Sequence, residues 1–143
     1  MKPQKDKNSV IDKWGEVSCS LGWVAVPTLL LFSQKELKIT ASELNVLMNL
    51  IVHWWEKSEK PFPSQAAIAY RTGLSVKTIQ RALSNLERKG LIIKISTPRS
   101  NVVTKGKNLY DLSPLIEELD RVSPKILESM ISRKKRMVIY NAK

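Results

Sequence analysis

Apolar positions along the chain fall into three helical rhythms, followed by two extended runs and two more helical ones. The first rhythm is Leu44, Leu47, Met48, Ile51 and Trp55, introduced by Thr40 with Glu43 three residues on, a capping box. Val46, Leu50 and Trp54 add a second stripe, so this helix, expected to run to about Lys57, is apolar around much of its circumference. It is either central to the core or partly a dimer surface. The second rhythm opens at Ser64 and has Ala67, Ile68 and Tyr70 as candidates for burial, with Gly73 ending it. The third opens at Ser75, repeats at Val76, Ile79, Leu83 and Leu86, and stops at Gly90. Two short helices joined by Thr72, Gly73, Leu74 and Ser75 form a helix-turn-helix pattern.

Residues 91 to 97 and 108 to 112 read as two strands, and the polar stretch from Pro98 to Lys107 between them as the tip of a β-hairpin. Ser113-Pro114 and Ser123-Pro124 each open a further helix, with a capping Ser and Pro at the first helical position. Upstream, residues 22 to 32 are apolar but contain Pro27, which suits a short strand followed by one turn of helix. Residues 1 to 20 are polar without a clear period and read as a loosely ordered arm. The expected organisation is therefore an arm (1–20), one domain (21–112) and C-terminal helices (113–143). The class is mainly α with a small β-hairpin, α+β.

Charge sharpens this pattern. The 143 residues carry a net charge of +11, and its distribution is uneven. Residues 1 to 59 balance seven Lys/Arg against seven Asp/Glu, while residues 60 to 107 hold ten cations and only Glu87, a net of +9. The excess thus lies on the helix-turn-helix and the hairpin, where a polyanion would need it. On a wheel with Ile79 at zero, Lys77, Arg81, Ser84 and Arg88 fall within about 40° of the opposite side. Thr78, Gln80 and Asn85 lie on the flanks.

Helix-turn-helix followed directly by a hairpin resembles the winged helix-turn-helix superfamily. More narrowly, Phe62-Pro63-Ser64-Gln65, the stretch from Gly73 to Leu83, and Leu86-Glu87-Arg88-Lys89-Gly90-Leu91-Ile92 resemble the small bacterial helix-turn-helix domains of phage and plasmid proteins. Gly22-Trp23 and Pro27 match a segment with which that family often begins. Tyr110-Asp111-Leu112-Ser113-Pro114-Leu115-Ile116 is similar to a segment in the N-terminal domain of plasmid replication-initiation proteins. The resemblance implies duplex DNA as partner, with the third helix in the major groove and the hairpin as a wing. It implies Lys77, Thr78, Gln80 and Arg81 as base readers. Ser64, Gln65, Arg71, Ser75, Ser84 and Arg88 would meet phosphate, joined by Arg99, Lys105 and Lys107 on the wing. Ser64 and Ser75 are needed as helix caps in any case.

Other classes find less support. One His (His53), one Cys (Cys19) and no acidic pair in an evident cleft supply neither a nucleophile-base pair nor a metal site, and no Gly-rich phosphate loop is present. No enzyme activity and no cofactor are expected, and His53 reads as structural. A lone cysteine suits a reducing cytoplasm, and no apolar run is long enough to span a membrane. RNA is less favoured, because the basic segment holds only Phe62 and Tyr70 as aromatics. A protein-interaction use of the basic face stays open. Among DNA roles, the expectation is a transcription regulator, with replication or maintenance of a plasmid or phage as the alternative. It would act as a homodimer through either the first helix or the C-terminal helices. The run from Arg133 to Arg136 reads as a solvated helix end.

Overall fold

A computed structural model describes residues 8 to 141, with side chains placed from 9 to 137. In chain order the elements are α1 (Asn8–Trp14), α2 (Thr28–Phe32), α3 (Ala41–Ile51), α4 (Gln65–Thr72), α5 (Val76–Arg88), β1 (Ile93–Ile95), β2 (Leu109–Asp111) and α6 (Ser113–Asn141).

The centre of the molecule is α3. Val46, Leu47 and Leu50 are fully buried, Leu44 and Met48 pack against the same core, and α5 lies directly against them through Ile79, Ala82, Leu83 and Leu86. Most of the apolar circumference of α3 is thus buried within its own chain, which makes this helix central to the core. Its start is the capping box read from sequence: Glu43 N donates to Thr40 Oγ1 at 3.2 Å, and Thr40 Oγ1 donates to Glu43 Oε2 at 3.0 Å. Its end comes earlier than about Lys57. At Ile51 the chain tightens, with His53 N bonding Leu50 O and Trp54 N bonding Ile51 O, three-residue spacings that close a helix rather than extend it. Trp54 still reaches the core, whereas Trp55 is 75% exposed.

Of the three candidates for burial on α4 only Ile68 is buried; Ala67 is exposed, Tyr70 is 92% exposed, and Ala69 packs on the core instead. With eight residues, α4 has room for one inward position per turn. Gly73, at φ 74°, supplies the left-handed cap that ends it. The Schellman pair closing α5 is Gly90 N to Glu87 O and Leu91 N to Leu86 O.

The hairpin is antiparallel, with Ile93 opposite Asp111, Lys94 opposite Tyr110 and Ile95 opposite Leu109. Its strands are three residues each, shorter than residues 91 to 97 and 108 to 112, because Leu91 and Ile92 are buried in the core and the tip folds on itself. Tyr110 N donates to Pro61 O at 2.9 Å, which fastens the hairpin to the entrance of α4. Residues 22 to 26 form no strand; the chain there is irregular up to Pro27, after which the turn of helix appears as α2. Part of the polar arm is helical, as α1.

The two expected C-terminal helices are one. α6 runs through Pro124, whose missing N–H leaves the Asp120 carbonyl unpaired; both residues are exposed, so water can satisfy that oxygen. At its start Asp111 Oδ1 accepts from Ser113 N and Oγ, and these bonds hold the Asp111 carboxyl below its ordinary pKa. Leu115, Leu119 and Val122 form its inner face.

Candidate nucleic-acid interface

The outward face of α5 follows from what its inner face buries. With Ile79, Ala82, Leu83 and Leu86 inward, helical spacing turns Lys77, Gln80, Arg81, Ser84 and Arg88 outward, and all five are exposed. Among the described residues no hydrogen bond or ion pair engages the side chain of Lys77, Arg81 or Ser84. Thr78 is half-buried. Its hydroxyl lies 2.9 Å from that of Ser75, which also accepts from Thr78 N at 3.1 Å, so both belong to the N-terminal cap of α5. Gln80 Nε2 donates to Gln65 Oε1 at 3.0 Å, which joins the outer face of α5 to the start of α4. Arg88 donates to Asn85 Oδ1 one turn earlier.

On α4, Ser64 Oγ accepts from Ala67 N at 3.0 Å and caps the helix. Arg71 bends back to α3: its Nε donates to Asn49 Oδ1 at 2.6 Å, and one terminal nitrogen lies 3.0 Å from His53 Nε2 and 3.4 Å from Asn49 O. Burial first, then the cations of Arg71 and Lys107, push the His53 pKa below its ordinary value. A neutral imidazole can accept from the guanidinium. His53, Arg71 and Lys107 line a groove of about 740 Å³ between α4 and the wing, together with Trp55, Lys60 and Phe62.

The wing tip is compact. Asn101 Oδ1 accepts from Val103 N and Thr104 N, Thr104 Oγ1 donates to Thr97 Oγ1 at 2.8 Å, and Thr97 Oγ1 donates to Lys107 O at 2.6 Å. Gly106, at φ 81°, approaches Arg99 so closely that a Cβ would meet its Cγ at 3.0 Å. This tip sets Arg99, Lys105 and Lys107 on the surface.

Two features of the frame escape a reading of sequence. Lys89, counted above among the cations of the basic stretch, is paired with the buried carboxylate of Glu43 and donates to Lys38 O at 2.6 Å. Glu87 Oε2, the acid in that stretch, accepts from Lys94 N at 2.9 Å and ties α5 to β1. Both partners lie far from each other in sequence, or use backbone atoms, so spacing carries no sign of them.

Helices α3 to α5 closed by the β1-β2 hairpin make this a winged helix-turn-helix fold. Residues 37–92 match the model of a helix-turn-helix domain family, which spans the fold from the loop before α3 to the start of the hairpin. No curated protein matches the chain. Among solved structures, the N-terminal domain of the DnaD protein from Geobacillus kaustophilus HTA426 is 24% identical with a TM-score of 0.55, over 92% of this chain and 99% of that one. MepR of S. aureus, solved in complex with DNA, is 20% identical with a TM-score of 0.45, over 80% and 85%. The PcaV transcriptional regulator from Streptomyces coelicolor is 15% identical with a TM-score of 0.40, over 96% and 92%. The first of these is a likeness of fold.

Proposed function

We propose that the protein binds duplex DNA sequence-specifically and acts as a transcription regulator. The observation that carries this reading is the outer face of α5, where Lys77 and Arg81 stand exposed and unengaged on a helix fixed to the core by its opposite side. In the major groove, Arg81 suits guanine O6 and N7, and Gln80 suits adenine N6 and N7, in competition with its bond to Gln65. Lys77 adds a second donor to guanine. Thr78, with its hydroxyl occupied, offers its methyl group to a thymine methyl. Ser64, Gln65 and Ser75 at the starts of α4 and α5, Ser84 and Arg88 on α5, and Arg99, Lys105 and Lys107 on the wing would meet phosphate. Arg71 enters through the position it gives α4 on α3.

Arg81→Ala should weaken binding to a selected site by about 1 to 3 kcal/mol and relax preference at one base pair, measured by titrating the variant against that duplex and its single-base changes. Unchanged affinity and preference would remove α5 from base reading. Selection from a random duplex pool supplies the site itself. A palindrome is the expected product, and an array of direct repeats would replace the regulator by a replication or maintenance role.

A further inference from the structure

α6 carries two rows of side chains, and only one of them faces its own chain. Leu115, Leu119, Val122 and Ile126 pack on the core. Leu127 is 58% exposed and Ile131 56% exposed. With Leu127 at zero on a wheel of about 100° per residue, Ile131 lies at about 40°, and Asp120 and Lys134 lie about 20° to either side. The core-facing row begins about 80° away. Asp120, Leu127, Ile131 and Lys134 therefore form a separate stripe along the outside of the helix, and all four are exposed. From Ile131 to Met137 every residue is exposed, so this part of α6 lacks the tertiary burial that normally sustains a helix in water.

The charges on the stripe are arranged symmetrically about Leu127. Asp120 is seven residues before it and Lys134 seven after it, about 10 Å in each direction. Among the described residues neither has an ion-pair partner, whereas Glu118 bonds Arg121 and Lys125 bonds Glu36. A stripe with an acid at one end, a base at the other and apolar residues between them is complementary to itself when turned end for end. A parallel pair would instead set Asp120 on Asp120 and Lys134 on Lys134.

We propose that this stripe is the contact surface for a second copy of the chain: two α6 helices pair antiparallel, with Leu127 on the two-fold axis and Asp120 of each copy against Lys134 of the other. Glu117 and Lys135, both exposed and about 80° to one side of Leu127, come together across the same interface. The contact is isologous, so each substitution acts twice. It is independent of the reading of α5, which uses another face of the molecule.

Sedimentation velocity of the full chain at micromolar concentration, without DNA, tests the pairing, with far-UV circular dichroism checking that each variant folds. The wild type should be a dimer. Asp120→Lys and Lys134→Asp should each raise the dimer dissociation constant about tenfold, and the two together in one chain should restore it to near the wild-type value. In a Cys19→Ser background, a mixture of Asp120→Cys and Lys134→Cys chains should form the disulfide between unlike chains. A monomeric wild type, a dimer indifferent to both charge changes, or a disulfide between two Asp120→Cys chains would each overturn the proposal. Because no DNA is present, its failure leaves the proposed DNA reading standing, and the Arg81→Ala result leaves this one untouched.

Discussion

Arg71 on α4 and Arg81 on α5 belong to the same helix-turn-helix and carry the same charge, but their neighbours differ. Arg71 is folded onto α3 and the turn that closes it, where Asn49 and His53 receive its guanidinium. Arg81 points away from the core on a helix whose inner face is fully committed to it. Lys89, the residue after Arg88 at the end of the outer face, repeats the behaviour of Arg71 by reaching back to Glu43. The net +9 of residues 60 to 107 therefore divides into charge that fastens the helices to α3 and charge left free for a polyanion. Local charge density alone does not separate the two groups; the direction in which each helix buries its apolar side does.

The sharpest way to break this division is Lys89→Met. Glu43 is almost fully buried, and losing its cation leaves an uncompensated carboxylate inside the molecule. Because Lys89 keeps partial solvent access, the cost should be about 2 to 3 kcal/mol of folding stability, somewhat less than for a fully buried pair. Urea unfolding measures it. If the division holds, the salt dependence of duplex binding in the folded variant is unaltered; a shallower slope would move Lys89 into the free group.

A smaller effect separates Ser75, the cap of α5, from Ser84 within it. Ser75→Ala removes the bond to Thr78 N and should cost about 1 kcal/mol of stability, whereas Ser84→Ala, exposed and unengaged, should cost close to nothing and weaken only binding to duplex. Equal losses of stability would show that Ser84 has a structural duty comparable to a cap. Lys105 and Arg71 form the corresponding pair for phosphate. Lys105→Ala should reduce the slope of log affinity against log salt by roughly one unit, and Arg71→Ala should leave it nearly unaltered. A full unit lost on Arg71→Ala would mean that its guanidinium leaves Asn49 when DNA arrives.

How far these features could be read from the chain depends on their range. The caps at Thr40, Ser64 and Ser75, the stops at Gly73 and Gly90, and three of the four residues of the row Val76, Ile79, Leu83 and Leu86 are local in sequence and are found where spacing puts them, Val76 alone being exposed at the first turn. Reading failed where tertiary packing overrides local preference. Trp55 continues the helical rhythm of α3 in sequence but lies past a helix that has already tightened at Ile51. Pro124 looks like a helix start, yet Leu119, Val122 and Ile126 on one packed face carry α6 straight through it. The outward residues of α5 were legible because a helix with one apolar row has one outward face. The inward turn of Arg71 and Lys89 was not, since each partner is 18 or more residues away.

His53 gives the finest test of the fastened group. Its pKa lies below the ordinary value of about 6.5, through burial first and then through Arg71 and Lys107. Between the folded pKa and about 6.5 the unfolded chain binds more protons than the folded one, so stability rises with pH across that window. The contribution of neutral His53 is complete above the unfolded value and is lost as pH falls through the folded one. The chain contains a single histidine, so a proton magnetic resonance titration follows it without ambiguity. Arg71→Ala removes one of the two cations and should move the titration upward, toward the ordinary value, while leaving the larger effect of burial in place. An unmoved titration would mean that the Arg71 guanidinium does not rest against the ring in solution, and that its bonds to Asn49 are what tie α4 to α3.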